Sequence, residues 1–328
     1  MKKILVTGGA GFIGSHLVDR LLSNRAGRVT VVDNFDDFYD PAIKRANIAD
    51  HIGRDDFELI EADICDSRVM NDLFARSRFD CVVHLAARAG VRASLANPLA
   101  YEETNVRGTF SLLEAARATN VSQFVFGSSS SVYGINSKLP FSEDDPTTSP
   151  ISPYAATKIA AEAACCAYSH LYDLRVVCTR FFTAYGPRQR PDLAIHKLAR
   201  MITERKPFPM FGDGTTRRDY TYIDDIIAGV VAAMDYDRTR FEVINLGESR
   251  AIELRRVIEL LESALGERAI LDHQPLQPGD MPVTYADIDK ARRLLGYNPA
   301  TEIESGIERF VEWFKKQPLR QTLHTVTT

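Results

Sequence analysis

The chain has 328 residues and a formal net charge of -4 at pH 7. This length is enough for one large α/β domain or two smaller ones. The slightly negative net charge gives no indication of a basic surface, so no nucleic-acid partner is expected. Its five cysteines are odd in number and include no CxxC pair, which argues against a disulfide framework or a metal site and favours a cytoplasmic location. The apolar runs 4–6 and 226–234 are too short for a signal peptide or a membrane span, so no membrane partner is expected.

Short runs rich in β-branched residues alternate with helical patterns along the first half of the chain. The predicted strands are 3–7, 29–33, 58–61, 81–85, 124–128 and 175–180, and the predicted helices are 12–24, 66–75, 98–119 and 152–172. Because the strands are apolar almost without interruption, we expect a parallel sheet that is buried on both faces. The alternating order predicts a Rossmann-type, doubly wound α/β fold.

The first strand runs into a glycine loop, residues 8–14, that fits the pattern GxGxxG and opens a helix. Glycines at these positions permit a tight turn and let the backbone approach a pyrophosphate at the helix N-terminus. The second strand ends at Asp33, whose carboxylate can bind ribose hydroxyls and would repel a 2′-phosphate, so NAD is favoured over NADP. A structural glycine turn and a solvated strand end remain alternatives. Asp63 and Ile64, after the third strand, are expected beside the adenine.

Tyr154 and Lys158 lie four residues apart near the start of the helix 152–172, and this spacing places both side chains on one face. A neighbouring ammonium favours the phenolate, so Tyr154 can accept a hydroxyl proton while hydride leaves the same carbon. Four serines, 128–131, follow the fifth strand, where an open α/β sheet binds its ligand. From these residues alone, a surface Tyr–Lys pair and an ordinary polar turn remain possible.

After about residue 183, Gly, Pro and Arg punctuate shorter elements, which predicts a smaller, loop-rich C-terminal substrate domain. We expect a dinucleotide-binding domain over residues 1–182, which the chain rejoins at about 216–247 through a strand at 242–245. The substrate domain is expected to comprise 183–215 and 248–316, with helices near 253–265 and 304–315. Residues 317–328 lack an apolar period and are predicted to be a frayed tail.

The glycine loop, the Ser/Tyr-xxx-Lys set and Asn105 together resemble the extended short-chain dehydrogenase/reductase family over nearly the whole chain. Within that family, four stretches look like the UDP-glucuronate 4-epimerases, and they are more specific than the glycine loop. These stretches are 33–35 with 39–41, 89–92, 217–225 and 277–280.

The resemblance implies roles for individual residues. The implied catalytic residues are Ser129, Tyr154 and Lys158. The implied NAD-binding residues are Gly8, Gly11, Phe12, Ile13, Gly14, Asp33, Asn34, Asp63, Ile64, Leu85, Ala86, Ala87, Asn105, Tyr154 and Lys158. The implied substrate-binding residues are Arg88, Ser129, Ser130, Ser131, Thr183, Arg190, Arg218 and Asp280. Arg88 stands where the family pattern has Gln, which leaves the role of its side chain open.

The resemblance also implies an activity: NAD-dependent epimerisation of a UDP-sugar at carbon 4 through a 4-keto intermediate, with UDP-glucuronate giving UDP-galacturonate. UDP-glucuronate decarboxylase and another UDP-hexose 4-epimerase are the alternatives. A 4,6-dehydratase is disfavoured, because Ser130 and Ser131 stand where an Asp-Glu pair is expected. A sensor that only binds NAD is disfavoured by the intact Tyr154 and Lys158. A homodimer is implied through helices 98–119 and 152–172, and burial of their apolar stripes in the core is the alternative.

Overall fold

The computed structural model of the protein describes residues 1–136, 138–275 and 281–317. Its strands are β1 Lys3–Thr7, β2 Arg28–Asp33, β3 Phe57–Glu61, β4 Cys81–His84, β5 Gln123–Ser129, β6 Arg175–Phe181, β7 Thr183–Tyr185, β8 Pro207–Phe211, β9 Arg217–Arg218, β10 Tyr220–Tyr222, β11 Phe241–Leu246, β12 Ile252–Glu253, β13 Ile270–Gln274 and β14 Val283–Thr284. Its helices are α1 Phe12–Ser23, α2 Pro41–Ile48, α3 Ser67–Ser77, α4 Val91–Ala96, α5 Pro98–Glu102, α6 Gly108–Ala118, α7 Pro153–Tyr172, α8 Ala194–Thr203, α9 Ile223–Met234, α10 Leu254–Leu265, α11 Asp289–Leu295 and α12 Ile303–Lys315.

Seven parallel strands form the central sheet, in the order β11-β6-β5-β4-β1-β2-β3. The order reverses between β1 and β4, which is the switch point at which doubly wound sheets bind ligands. All the strands present their carboxyl ends at one edge, so the loops that follow β1, β2, β4 and β5 meet there. The predicted fold class is confirmed.

Both faces of the sheet are buried, as the apolar strands predict. Side chains alternate along each strand: Ile4 and Val6 pack into one core, and Leu5 packs into the other. Helices therefore cover both faces. No helix within the described ranges is long and apolar enough to cross a membrane.

The seven predicted strands are all present, with ends that differ by at most one residue. The strand predicted at 242–245 is β11, which pairs in parallel with β6 at the edge of the central sheet. The smaller sheets β7–β10, β12-β9-β14 and β8–β13 lie in the second half of the chain. The division of the chain into two domains stays a prediction, and residues 318–328 of the predicted tail lie outside the described residues.

The helix predicted over 98–119 is present as one uninterrupted helical run over 98–118, but it is not α-helical throughout. It consists of α5, a π-helical turn Glu103–Arg107, and α6. The Thr109 hydroxyl donates to the Asn105 carbonyl at 2.6 Å, and the Asn105 side chain is buried at the turn. These contacts stabilise a wider turn than α-helical periodicity predicts, and such π-turns are frequent at functional sites.

Candidate active site

A cleft at the carboxyl edge of the central sheet brings most of the predicted site residues together around a cavity of about 500 Å³. The loops after β1, β2, β4 and β5, the start of α7, and β7 all contribute to its wall. The predicted residues that line it are Gly8, Gly11, Phe12, Ile13, Gly14, Asp33, Asn34, Asp63, Ile64, Leu85, Ala86, Ala87, Arg88, Ser129, Ser130, Ser131, Tyr154, Lys158, Thr183 and Arg190.

The glycine loop has no room for side chains at two positions. A Cβ atom at Gly14 would lie 2.2 Å from the Gly8 carbonyl oxygen. Gly8 has φ +69°, and a Cβ atom there would lie 2.7 Å from the backbone nitrogen of Ala86. The helix α1 begins at Phe12, within this loop, and the residues of its first turn line the cleft, where the first backbone N–H groups of a helix have no intrahelical partner. This bare cradle at a helix N-terminus fits the pyrophosphate of a dinucleotide.

Asp33 ends β2 against the glycine loop. Its carboxylate accepts hydrogen bonds from the backbone N–H groups of Ala10 at 3.2 Å and Phe35 at 2.9 Å. Burial raises the pKa of Asp33, and the Lys44 ammonium, 4.0 Å away, opposes that rise. Nearby, the Asn34 side chain donates to the Asp63 carboxylate at 3.0 Å. The carboxylates predicted to bind the adenosine half of the cofactor therefore line one end of the cavity.

The helix α7 begins one residue before Tyr154, and this start fixes the position of the tyrosine. The Ser152 hydroxyl caps the helix by accepting from Ala155 N–H at 3.1 Å, and Pro153 occupies the first turn. One turn later, the Lys158 ammonium donates to the Gly127 carbonyl at 2.7 Å and lies 4.8 Å from the centre of the Phe126 ring. Burial lowers the pKa of Lys158 to about 8, against the opposing charge of Glu162.

Two groups act on the phenol of Tyr154. Burial raises its pKa, while a hydrogen bond with Ser129 and the positive charge of Arg190 lower it. The sequence predicted that the supporting charges are the Lys158 ammonium and the nicotinamide cation. The structure adds Arg190, whose guanidinium is itself held by the Asp192 carboxylate at 2.9 and 3.1 Å.

The serine cluster divides between the cavity and the core. The Ser129 hydroxyl donates to the Ser131 hydroxyl at 3.1 Å and accepts from the Ser131 backbone N–H at 3.1 Å. Ser130 and Ser131 line the cavity, and Thr183 contributes a third hydroxyl-bearing side chain from β7. Ser128 also borders the cavity, but it is buried, and its hydroxyl donates into the core to the Glu162 carboxylate at 2.5 Å.

Three comparisons with known proteins place the chain among relatives. The sequence profile of the family described as GDP-mannose 4,6 dehydratase matches residues 5–310. A UDP-glucuronate 4-epimerase of Thermodesulfobacterium geofontis is 41% identical over 95% of this chain and 96% of its own length. The crystal structure of the UDP-glucuronic acid 4-epimerase of Bacillus cereus, in complex with UDP-glucuronic acid and NAD, is 40% identical with a TM-score of 0.90, and the match covers 96% of this chain and 99% of that chain. A Thermotoga maritima UDP-glucose 4-epimerase structure is 33% identical with a TM-score of 0.87, over 96% of this chain and 99% of that chain.

The chain belongs to the family described as GDP-mannose 4,6 dehydratase. The predicted resemblance to the extended short-chain dehydrogenases/reductases is confirmed, and it extends over nearly the whole length. The family's Ser, Tyr and Lys positions meet in this chain at one cavity. Their individual roles stay predictions.

Two of the residues that the family resemblance placed in the site, Asn105 and Arg218, do not line the cavity, and a third lies outside the described residues. Asn105 is buried, and its side chain holds the backbone of Arg88 through hydrogen bonds of 2.8 and 2.9 Å. Arg218 lies on β9, where its guanidinium donates to the Arg217 carbonyl at 2.9 Å. Asp280 lies outside the described residues.

The cleft of this extended dehydrogenase/reductase also contains residues that the sequence did not assign to it. Asp36, Phe38, Tyr39 and Lys44 line the same cavity from the segment after β2. The sequence offered one signal for these residues, namely the stretch 39–41, which was noted only because it resembles the UDP-glucuronate 4-epimerases. Within this stretch, Asp40 caps α2 and so fixes the position of Lys44 one turn later.

Proposed function

We propose that the protein is an NAD-dependent UDP-sugar 4-epimerase that converts UDP-glucuronate to UDP-galacturonate through a transient 4-keto sugar. One observation carries the proposal: Ser129, Tyr154 and Lys158 line the same cavity as the glycine loop and Asp33. The cavity thus combines an acid–base group with a dinucleotide cradle. The B. cereus structure, at 40% identity, supports the choice of UDP-glucuronate and NAD.

The residues present fit NAD, since the glycine loop leaves a bare cradle and Asp33 lines the cavity close by. In the proposal, the glycine loop holds the pyrophosphate, Asp33 and Asn34 the adenosine ribose, Asp63 and Ile64 the adenine, and Lys158 the nicotinamide ribose. The residues 85–87 and Asn105 complete the site, Asn105 through the backbone of Arg88. Bound NAD supplies a hydride acceptor and donor for carbon 4.

Tyr154 is the proposed acid–base group. Its oxygen accepts the proton of the 4-hydroxyl and later returns it to the oxygen of the 4-keto sugar. Ser129 donates a hydrogen bond to the reacting oxygens. The charge of Arg190 favours the phenolate, and the ammonium of Lys158, one helical turn along α7, is proposed to support it. Between the two proton transfers the 4-keto sugar turns over in the cavity and presents the opposite face of carbon 4, so the hydroxyl that Tyr154 reprotonates stands on a carbon of inverted configuration.

The hydroxyls of Ser130, Ser131 and Thr183 are the proposed partners of the sugar carboxylate. The 4-keto intermediate is a β-keto acid, which loses CO₂ when the bond to its carboxylate aligns with the carbonyl π system. Hydroxyl donors hold the carboxylate without supplying an acidic proton. Arg190 and Arg218 are proposed to bind the anionic parts of the substrate, and Asp280 is proposed to bind its nucleoside.

Purified enzyme with UDP-glucuronate tests the proposal, if UDP-galacturonate, CO₂ and NADH are followed in one reaction. We expect UDP-galacturonate without net NADH and without stoichiometric CO₂. Stoichiometric CO₂ would identify a decarboxylase instead. Turnover of UDP-glucose but not UDP-glucuronate would identify another UDP-hexose 4-epimerase. This alternative is tested because the similar Thermotoga maritima structure is a UDP-glucose 4-epimerase.

The variant Tyr154→Phe provides the matched control for that assay. It keeps the ring and removes the hydroxyl, so turnover is expected to fall about 100- to 10,000-fold while NAD stays bound. Turnover that survives Tyr154→Phe would contradict the assignment of the acid–base group.

A homodimer and a cytoplasmic location complete the proposal. Leu99, Phe110 and Leu171, on α5, α6 and α7, are apolar and exposed, which supports an interface with a second copy. The five cysteines are free thiols, which supports a reducing compartment.

A further inference from the structure

An ion pair joins two loops at the cofactor end of the cavity. The Arg88 guanidinium donates from Nη2 to Oδ2 of Asp36. Arg88 lies in the loop after β4, and Asp36 lies in the segment after β2. Both residues line the cavity, and both side chains are partly shielded from solvent, with exposed fractions of 30% and 21%.

The order of the strands in the sheet places this ion pair beside the glycine loop. Strands β4, β1 and β2 are neighbours in that order, and the glycine loop follows β1. A contact between the loops after β4 and β2 therefore bridges the glycine loop, which lies between them. The glycine loop is in turn packed against the backbone of Ala86, two residues before Arg88.

Each loop is fixed by contacts that do not involve the ion pair. The Asn105 side chain bonds both the N–H and the carbonyl of Arg88, at 2.8 and 2.9 Å. On the other side, the Lys44 ammonium donates to the Asp36 carbonyl at 2.9 Å, and Phe38 N–H donates to the Asp36 carboxylate at 3.0 Å. The two loops are thus held independently, and the Arg88–Asp36 pair adds a bond between them.

We propose that Arg88 and Asp36 form a latch across the glycine loop that retains NAD on the enzyme between turnovers. The latch rests on the NAD binding in the proposed function, and it assigns Arg88 to cofactor retention, the role that the sequence left open. Retention suits an epimerase, because the hydride taken from one substrate returns to the same molecule and the cofactor has no need to leave.

The dissociation rate of NAD from the full-length holoenzyme tests the latch directly. Holoenzyme carrying radiolabelled NAD is mixed with excess unlabelled NAD, and the release of label is followed without substrate. Arg88→Gln and Asp36→Asn are each expected to accelerate release about tenfold, equivalent to about 1.4 kcal/mol. The double variant is expected to release NAD no faster than either single variant, because each single variant and the double variant all break the same interaction.

Salt and a matched ion pair supply the controls. Raising NaCl from about 0.05 M to about 1 M should accelerate release from the native enzyme and have little effect on the variants, since salt screens the latch. Arg45→Gln breaks the neighbouring Arg45–Glu61 pair, 2.9 Å long and outside the cavity lining, and should leave the release rate unchanged.

Three results would overturn the latch: unchanged release from both single variants, additive acceleration in the double variant, or a higher KM for UDP-glucuronate in Arg88→Gln with normal NAD release. The last result would assign Arg88 to the substrate. Because release is measured without turnover, an enzyme that epimerises normally with unchanged release refutes the latch alone. An enzyme that holds NAD through the latch but does not epimerise refutes the proposed activity alone.

Discussion

At the scale of single residues, Lys158 is a charged group in a buried environment. It is buried on α7, its ammonium donates to the Gly127 carbonyl, and the charged and titratable groups around it come from three elements. They are Glu162 and Cys165 on α7, Cys178 on β6, and His84 on β4. Burial alone favours the neutral amine, and the Glu162 carboxylate opposes that effect. Lys158 is therefore poised to lose its charge at mildly alkaline pH.

We expect kcat to fall as the pH rises through about 8, the value to which burial lowers the pKa of Lys158. Below this pH the ammonium is present and supports the phenolate and the cofactor ribose; above it, the amine is neutral and that support is lost. Measurement of kcat from about pH 6 to about pH 10 checks the expectation. A profile that stays flat to about pH 9.5 would contradict it. Lys158→Arg keeps a charge over this range, so any remaining activity should lack the alkaline fall.

At the scale of elements, one face of α7 carries three functional side chains. Tyr154, Lys158 and Glu162 succeed one another at intervals of four residues, so they lie along one stripe. Glu162 is the buried end of the stripe, where Arg180 of β6 donates to it at 2.8 and 2.9 Å and Ser128 of β5 donates at 2.5 Å. The ion pair thus joins α7 to β6, and the Ser128 hydrogen bond joins α7 to β5.

Glu162→Gln is expected to destabilise the fold by about 3–5 kcal/mol, because it leaves the guanidinium of Arg180 buried without a counter-charge. Urea unfolding monitored by circular dichroism measures the loss. The double variant Glu162→Leu with Arg180→Met removes both charges and should recover most of the stability. Glu304→Gln breaks the exposed Arg256–Glu304 pair and should leave the unfolding midpoint nearly unchanged. Equal effects of Glu162→Gln and Glu304→Gln would contradict the role given to the buried pair.

The sequence predicts those elements whose burial leaves a periodic pattern. Strands buried on both faces are apolar along their length, so all seven strands of the central sheet were identified. The π-turn at Glu103–Arg107 was missed, because it depends on the Thr109 hydroxyl and a buried Asn105 rather than on periodicity. The short helix α8 and the strand pair β8–β13 were also missed, since Gly and Pro around them suggested only loops.

In the site, too, the residues whose positions follow from periodicity were predictable, and those whose positions depend on loop conformation were not. Tyr154 and Lys158 were predictable, because a spacing of four residues on a helix determines which side chains share a face. Asp36 and Lys44 were not, because they reach the cavity only through the conformation of the segment after β2. Arg190 was assigned to the substrate, but its effect on the Tyr154 phenol needed coordinates.

At the scale of the whole molecule, the helices α4 to α7 leave apolar side chains exposed. Leu95 and Leu99 are 64% and 77% exposed, and Leu171 is 65% exposed. The ring centres of Phe110 on α6 and Tyr168 on α7 lie 6.1 Å apart, and the ring centres of Tyr168 and Tyr172 lie 5.1 Å apart. Exposed and half-buried apolar side chains that contact one another on neighbouring helices, as Phe110, Tyr168 and Tyr172 do, typically mark a protein interface. A second copy of the chain is the partner expected to cover them.

Phe110→Glu tests that interface. Phe110 is 43% exposed, so the substitution should not disturb the fold of one chain, but it places a charge in a surface that dimerisation would bury. We expect the dissociation constant of the dimer to rise at least about 100-fold, since each 1.4 kcal/mol is about tenfold. Light scattering coupled to gel filtration over a dilution series should then give half the native mass. Ile270→Glu is the matched control, because Ile270 is 49% exposed on β13, and it should leave the mass unchanged. A native enzyme of single-chain mass, or a Phe110→Glu variant that dimerises like the native enzyme, would show that these helices do not form the interface.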